Sequence, residues 1–399
     1  YPLRRQRQMC IRDRFKTYKM NDMKGKQGMV CMGLLLVLSS CHTGKQITAS
    51  GLQRKDFQTE VNGQHTDLFT LSNKQGMEVC ITNYGARVVS ILVPDRNGKR
   101  EDVVCGFSTI TEYMEQRQNF GSTVGRYIGR ILNARFTLDG VEYKLVPNNG
   151  KSGHISHGGN PGFADRMWKV EQADTHRVRL SYLSPDGENG FPGNLKVTLV
   201  YSLGEDDNAL DLTYEATTDA PTVLNLSHHS FFNISGNFTK SVEDQQLWVD
   251  ADRFTPYDDK KCVTGEYLPV AGTPLDFRMP HAIGECIDAD HPQLKVVNGY
   301  DHTWELNTKG DDTRPAAWVY DPASGRKMEI FTTEPGMQIY TGNGLKGKMT
   351  GKRGIAYPFR SAVCFETMHF QDSPNQPGFP STVLRPGEVF RSHTVYKFE

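Results

Sequence analysis

The sequence predicts an all-β protein: a large antiparallel β-sandwich with few short helices. Three observations support this prediction: apolar residues at every second position, turn-rich segments between them, and a lack of long amphipathic helices. The clearest alternating positions are Val178, Leu180 and Tyr182; Leu195, Val197, Leu199 and Tyr201; and Leu210, Leu212 and Tyr214. Such alternation gives a strand one buried and one exposed face, and two facing sheets bury many such strands together.

Turns and helices follow the same pattern. The chain has 38 glycines and 20 prolines, and polar turn clusters at residues 185–190 and 204–208 separate the alternating segments. The only segment that favours a helix is short, at residues 109–118. No second linker or repeat follows residue 51, so we predict one domain over residues 51–399.

Composition excludes some classes of function. Lys plus Arg and Asp plus Glu each number 46, so the formal net charge is zero. Nucleic-acid-binding proteins carry a basic excess, so we predict no nucleic-acid partner. The hydrophobic content of 37% is enough to build a core, which excludes a disordered chain.

The first 50 residues differ from the rest. Residues 1–22, which precede Met23, are rich in basic residues, and we interpret them as a non-native leader. In residues 23–40, Lys24 and Lys26 precede an apolar run at 30–38, shorter than the roughly 20 residues of a membrane span, so we predict a signal peptide. Residues 41–50 are mostly small and polar and would act as a tether.

Residues 38–41, Leu-Ser-Ser-Cys, resemble the lipobox of bacterial lipoproteins. The resemblance implies cleavage before Cys41 and acylation of its thiol. It therefore implies an exported lipoprotein, anchored to a membrane of the bacterial envelope and facing the periplasm. The alternative is an ordinary signal peptide in which Cys41 is incidental.

Motifs for metals and nucleotides are incomplete. The five cysteines after Cys41 show no paired spacing, and the histidines form no H-E-x-x-H, so we predict neither a disulfide framework nor a metal site. Residues 342–347 match G-x-G-x-x-G, but no helix pattern follows to hold a pyrophosphate. We interpret this segment as a loop and predict no cofactor.

Three apolar segments contain polar residues: 224–232, 299–302 and 363–367. Buried polar groups are costly unless they are paired. Each one alone is explained by a hydrogen-bonded core residue. Together they mark a candidate site.

Eight sequence blocks stand out in order over residues 51–399: residues 121–131, 155–163, 186–193, 225–233, 299–302, 338–343, 365–367 and 384–388. Together they resemble the aldose 1-epimerase (galactose mutarotase) family. The resemblance implies a β-supersandwich and an enzyme that interconverts the α and β anomers of a free aldohexose, such as galactose or glucose.

The resemblance also implies residue roles. Glu366 would be the base that takes the proton from the C1 hydroxyl, and His229 the acid that protonates the ring oxygen. The implied substrate-binding residues are His157, Arg130, Asp301 and Gln338. Acid–base ring opening suits such a pair, because histidine titrates near neutrality and a buried glutamate can be tuned towards it.

The sequence departs from the family pattern at three places that we expect around the sugar-binding cleft of the family. They are Gly129 where asparagine is usual, His228 beside the proposed acid, and the run Met368-His369-Phe370. They make the preferred sugar less predictable than the reaction. Two alternatives remain open: a glycoside hydrolase using Glu366 and Asp301 as paired carboxylates, and a non-catalytic sugar-binding lipoprotein of the same fold.

Overall fold

The structure, a computed structural model, describes residues 46–399, and strands dominate this part of the chain. Its strands, in chain order, are β1 (Glu60–Val61), β2 (Gln64–His65), β3 (Leu68–Ser72), β4 (Glu78–Thr82), β5 (Arg87–Pro94), β6 (Arg100–Asp102), β7 (Ser122–Val124), β8 (Arg130–Ile131), β9 (Arg135–Leu138), β10 (Val141–Lys144), β11 (Ile155–Ser156), β12 (Lys169–Ala173), β13 (Arg177–Ser184), β14 (Leu195–Leu203), β15 (Ala209–Thr218), β16 (Thr222–Val223), β17 (Ser227–His229), β18 (Phe231–Phe232), β19 (Gln246–Val249), β20 (Arg253–Thr255), β21 (Leu268–Pro269), β22 (His281–Ala282), β23 (Asp301–Glu305), β24 (Ala317–Tyr320), β25 (Lys327–Thr332), β26 (Gly336–Tyr340), β27 (Val363–Met368), β28 (Val383–Leu384) and β29 (Phe390–Phe398).

Three sheets contain most of these strands. The largest has nine antiparallel strands in the order β12-β13-β14-β15-β29-β25-β24-β19-β22. The second has six, β18-β27-β26-β23-β20-β21, and the third has four, β3-β4-β5-β6. The alternating segments predicted as strands are β13, β14 and β15, and β14 buries every second residue along its length.

The main hydrophobic core lies between these sheets. Leu199 and Leu212 of the nine-stranded sheet share one buried cluster with Ile339 and Phe365 of the six-stranded sheet and with Val79 of the four-stranded sheet. Two faces that each carry alternating apolar residues exclude water by covering one another. The predicted all-β sandwich is therefore confirmed.

Helices are short, as predicted. Helix α1 (Ile110–Gln116) lies in the expected segment, and a reciprocal capping box between Thr109 and Glu112 fixes its start. Helix α2 (Pro292–Val297) was not predicted, because it buries only Leu294 and Val297, which is too few positions to show a helical period. The other helical turns are 3-10 turns at Arg54–Phe57, Leu132–Ala134, Gly150–Ser152, Phe163–Asp165, Glu188–Gly190, Lys352–Gly354 and Ser373–Asn375.

The glycine-rich segment 342–347 is a loop, as predicted, and a 3-10 turn rather than a helix follows it. The five cysteines of residues 46–399 are unpaired thiols: Cys80, Cys105, Cys262, Cys286 and Cys364. Among the described residues, none of the helices has the length and apolar character needed to cross a membrane.

The predicted leader, the signal peptide and Cys41 lie outside the described residues. The last part of the predicted tether is described, and it contacts the domain. Thr48 is buried, and the backbone N–H groups of Ala49 and Ser50 donate hydrogen bonds to the Glu78 carboxylate. The packed chain thus includes residues that the sequence placed in the tether.

A buried ion pair ties the loop after the glycine-rich segment to the four-stranded sheet. Lys352 Nζ lies 2.5 Å from Asp102 Oδ2 and donates to the Val89 carbonyl at 2.5 Å. Asp102 Oδ1 accepts from the Ile91 and Val104 N–H groups. Removing one partner of such a pair leaves the other charge buried without its counter-ion.

We therefore expect Lys352→Met to lower the free energy of unfolding by about 3–5 kcal/mol. The midpoint of urea denaturation measures this loss. Lys348→Met, at an exposed lysine in the same loop, is the matched control and should change stability by no more than about 0.5 kcal/mol. Equal midpoints for the two variants would contradict the stabilising role of the buried pair.

Candidate active site

The six-stranded sheet has one apolar and one polar face over its central strands. Trp304, Ile339 and Phe365, on β23, β26 and β27, are buried in the main core. Because successive side chains of a strand point to opposite faces, their neighbours at positions 303, 338 and 366 share the other face. That face carries Thr, Gln and Glu, so the sheet presents a polar surface away from the core.

The strand register places the predicted residues next to each other. Gln338 is paired with Glu366 across β26 and β27, and with Thr303 across β23 and β26. Asp301 begins β23, two residues before Thr303, and therefore lies on the same face. Three predicted residues that are far apart in the sequence, Asp301, Gln338 and Glu366, thus meet on one patch of sheet.

Shorter strand pairs supply the other predicted residues. His229 ends β17, which pairs with β7. Arg130 begins β8, opposite Ser156 of β11. His157 follows β11 with a left-handed backbone, φ +53°, and its N–H donates to the Gly129 carbonyl at 2.9 Å.

These elements enclose a cleft of about 250 Å³. All six residues predicted from the sequence line it: Arg130, His157, His229, Asp301, Gln338 and Glu366. Phe231 and Tyr340 add two aromatic rings to the lining. Sequence reasoning missed the other polar lining side chains, which are Gln118, Asn119, Ser156 and Gln371. Each of these is a single polar residue in an ordinary turn or strand context, which carries no signal.

Glu366 and His229 are in direct contact in this cleft. His229 Nε2 lies 3.4 Å from Glu366 Oε1, and both side chains are buried. Burial raises the pKa of Glu366 well above its usual value, and the nearby Asp301 charge raises it further. Burial and the neighbouring histidines lower the pKa of His229 well below its usual value. Both shifts favour the uncharged forms of the two groups.

Two further rings fix the orientation of His229. Its imidazole stacks on Phe231, with ring centroids 5.0 Å apart, and the His157 ring meets it edge-on at 5.5 Å. Burial, followed by the Arg130 charge, lowers the pKa of His157 to about 4, so this ring is neutral at pH 7. The Nδ1 atoms of His157 and His229 have no hydrogen-bond partner among residues 46–399. A polar ligand is the natural partner for such buried atoms.

Hydrogen bonds hold the polar side chains beside Glu366 on the same sheet face. Gln338 Nε2 donates to Asp301 Oδ1 at 2.6 Å, and Thr303 Oγ1 donates to Gln338 Oε1 at 2.5 Å. Burial raises the pKa of Asp301, and the Arg130 charge opposes that shift. A carboxylate and an amide in fixed orientations suit the recognition of hydroxyl groups.

One cluster in the described residues has the donor types for a metal. One ligand atom each from His229, Cys364 and Glu366 lies within 4.8 Å of the others. Glu366 and His229 already contact each other, and Cys364 belongs to the apolar cluster under the cleft. These residues therefore also fit an acid–base pair backed by a buried thiol.

The structure corrects the placement of two departures from the family pattern. His228 does not line the cleft: it is buried beside the Tyr201 and Tyr396 rings, and its Nε2 hydrogen-bonds Ser230 Oγ at 2.7 Å. His369 also lies outside the cleft lining and pairs with Glu334 at 2.7 Å. Neighbouring strand residues face opposite sides, so only one of two adjacent histidines reaches the cleft.

Gly129 and Met368 do line the cleft, as expected from the sequence. Gly129 has a backbone φ of +75°, and a Cβ atom added there would lie 2.5 Å from Gln371 Cγ. The space that a side chain at position 129 would fill is thus occupied by Gln371, which follows β27.

Comparison with known proteins agrees with the fold. The family model described as aldose 1-epimerase matches residues 67–397. Galactose mutarotase from Sus scrofa is 39% identical over 330 residues, which is 83% of this chain and 93% of that protein. Aldose 1-epimerase from Escherichia coli K12 is 36% identical over 340 residues, covering 84% and 96%.

Solved structures show the same relationship. A crystal structure of an aldose epimerase homologue from C. elegans superposes with a TM-score of 0.77 at 31% identity, covering 84% of this chain and 99% of that one. Galactose 1-epimerase from Lactobacillus acidophilus gives 0.74 at 28% identity, covering 86% and 96%. The chain therefore belongs to the aldose 1-epimerase family, enzymes that interconvert the anomers of free aldoses.

Proposed function

We propose that Glu366 and His229 perform the anomer interconversion, with Glu366 as base and His229 as acid. The observation that carries this proposal is their buried contact of 3.4 Å on the wall of a polar cleft. The substrate is a free aldohexose such as galactose or glucose. The mutarotase and epimerase relatives support this substrate class.

The reaction needs one proton to leave O1 and another to reach the ring oxygen. In the reactive form, the pair holds its shared proton on His229, and Glu366 is a carboxylate. Glu366 takes the O1 proton, the C1–O5 bond breaks, and His229 protonates O5. The open-chain aldehyde turns about C1–C2, and the same transfers in reverse close the ring on the other face.

The electrostatics of the cleft favour the protonation states that the pair has when the sugar ring is open. When the ring is open, Glu366 is protonated and His229 is neutral. Burial favours this same distribution, because it raises the pKa of the carboxyl group and lowers that of the imidazole. Burial of the pair thus favours the protonation states that the two groups have in the open-chain intermediate.

The remaining predicted residues would bind the sugar. We assign His157 to a hydrogen bond near the reacting carbon, since its neutral ring packs against His229. Arg130, Asp301 and Gln338 are assigned to the other hydroxyl groups. Asp301 and Gln338 are held in one orientation by their mutual hydrogen bond.

Loss of either member of the pair should remove most of the activity. We expect Glu366→Gln and His229→Asn each to reduce kcat by about 10²–10⁴-fold, because positioned proton transfer contributes that much. Polarimetry on freshly dissolved α-galactose and α-glucose measures the rate. Glu388→Gln, at an exposed glutamate, is the matched control and should retain wild-type activity.

Two results would contradict the assignment. One is a wild-type protein that relaxes the optical rotation at the rate of buffer. The other is Glu366→Gln relaxing it at the wild-type rate while circular dichroism shows an unchanged fold. Release of aglycone from an aryl galactoside would instead favour the glycoside hydrolase alternative.

The pH profile should report the same pair. We expect kcat/KM to be bell-shaped, because it falls when the base is protonated at low pH and when the shared proton is lost at high pH. After burial, the Asp301 charge is the next cause of the raised pKa of Glu366. Removing that charge lowers the pKa, so Asp301→Asn should move the acidic limb to lower pH.

Fitting the pH dependence of kcat/KM for the wild type and for Asp301→Asn measures this shift of the acidic limb, separately from any loss of sugar binding. Asp252→Asn, at an exposed carboxylate outside the cleft lining, should leave both limbs in place. An acidic limb that is unchanged or moves to higher pH in Asp301→Asn would contradict the proposed coupling.

We also propose that the protein is exported and anchored to a membrane of the bacterial envelope, facing the periplasm, through an acylated Cys41. The lipobox-like residues 38–41 and the short apolar run before them support this proposal. Cys41 lies outside the described residues. Acyl chains provide membrane affinity of about 0.8 kcal/mol per buried CH₂ group.

Cys41→Ser should therefore abolish anchoring. We expect the variant to leave the membrane fraction or to accumulate uncleaved, whereas the wild type labels with a radioactive fatty acid. Cell fractionation and fatty-acid labelling measure both effects. Unchanged membrane association and no labelling of the wild type would contradict the anchor, and Ser40→Ala serves as a neighbouring control.

A further inference from the structure

We infer that Gln371 is a positioning residue that fixes the orientation of the proposed sugar-binding side chains. Gly129 leaves the space that Gln371 needs. This inference rests on the proposed function and adds to it, because neither residue belongs to the proposed acid–base pair or to the hydroxyl-binding set. Gln371 lines the cleft but is only 4% exposed. An amide so buried is costly unless its hydrogen bonds are satisfied.

Every polar atom of this amide is satisfied, and its partners connect the proposed sugar-binding residues. Its Oε1 accepts from the Arg130 backbone N–H at 3.3 Å. Its Nε2 donates to Tyr257 Oη at 2.6 Å and to Gln338 Oε1 at 3.3 Å. Gln338 in turn donates to Asp301. One side chain therefore links Arg130, Gln338 and Asp301.

These bonds also decide which way the Gln338 amide faces. Its Oε1 receives two donors, Thr303 Oγ1 and Gln371 Nε2, so its NH₂ group must face Asp301. The reverse orientation would place an amide oxygen against the Asp301 carboxylate. Without Gln371, Gln338 Oε1 would keep only the Thr303 donor among the described residues, and the orientation of the amide that supports the Asp301 carboxylate would be held less firmly.

Sterics couple Gln371 to Gly129. A Cβ at position 129 would lie 2.5 Å from Gln371 Cγ, 3.1 Å from Gln371 Cδ and 3.3 Å from Met368 Cε. A side chain at 129 and a long side chain at 371 therefore exclude each other. In the family pattern an asparagine is usual at 129, whereas here the carboxamide of Gln371 occupies the adjacent space.

The consequence is a specific kinetic effect. Gln371 does not reach the proton-transfer pair, so its loss should weaken binding of the sugar while the chemical step is largely preserved. We expect Gln371→Met, which keeps the length and removes the amide, to raise KM about tenfold with kcat changed by less than about threefold. The acidic limb of the pH profile should stay in place, since no charge is removed.

The steric coupling is tested by a double-mutant cycle. Gly129→Asn alone should lower kcat/KM by about tenfold or more, because Gln371 occupies the space; asparagine tolerates the left-handed backbone of position 129. Adding Gln371→Ala to Gly129→Asn should recover most of that loss and change the ratio of kcat/KM for galactose and glucose. Polarimetric kinetics on both sugars and thermal unfolding of each variant provide the measurements.

The outcomes separate this inference from the proposed function. Wild-type KM values for Gln371→Met on both sugars, or a double variant no better than Gly129→Asn, would overturn it. A Gln371→Met protein that loses kcat and thermal stability with unchanged KM would assign the residue a merely structural role, which also overturns it. An active Glu366→Gln variant would instead overturn the acid–base assignment, whatever the Gln371 variants do.

Discussion

The register of the six-stranded sheet is the constraint on which the rest of this molecule depends. Along β23, β26 and β27, alternate residues enter the main core or the cleft. A slip of one residue between β26 and β27 would exchange Glu366 for Phe365 at the cleft and would bury a carboxyl group in the core. Because that exchange would be costly, the strand register that forms the core also fixes the position of the proposed base.

The same burial shapes the proposed chemistry. In water, a single proton shared by a carboxyl group and an imidazole would lie mainly on the imidazole, because the imidazole has the higher pKa. In the cleft, burial shifts both groups of the Glu366–His229 contact towards their uncharged forms. An epimerase must form and consume a neutral open-chain aldehyde in the same site. The protein environment therefore favours the intermediate's protonation state over either ion-paired ring form.

The proposed sugar recognition depends on a hydrogen-bond network that lies next to the acid–base pair. Asp301, Gln338 and Arg130 come from three different strands, and one amide connects them. Gly129 allows that amide to approach, since any larger residue would collide with it. The departures from the family pattern at positions 129 and 368 thus concern binding geometry, whereas those at 228 and 369 lie outside the cleft lining.

The sequence by itself determined the sandwich class, the alternating strands β13 to β15 and all six predicted cleft residues. Alternation is local, and the motif blocks keep their order along the chain. Tertiary structure alone decided the rest. Helix α2 has too few buried positions to be recognised, and only strand pairing separates cleft-facing His229 from core-facing His228. Gln371 acquires its role by contacting Arg130, 241 residues away, and no local pattern encodes a contact between residues so far apart.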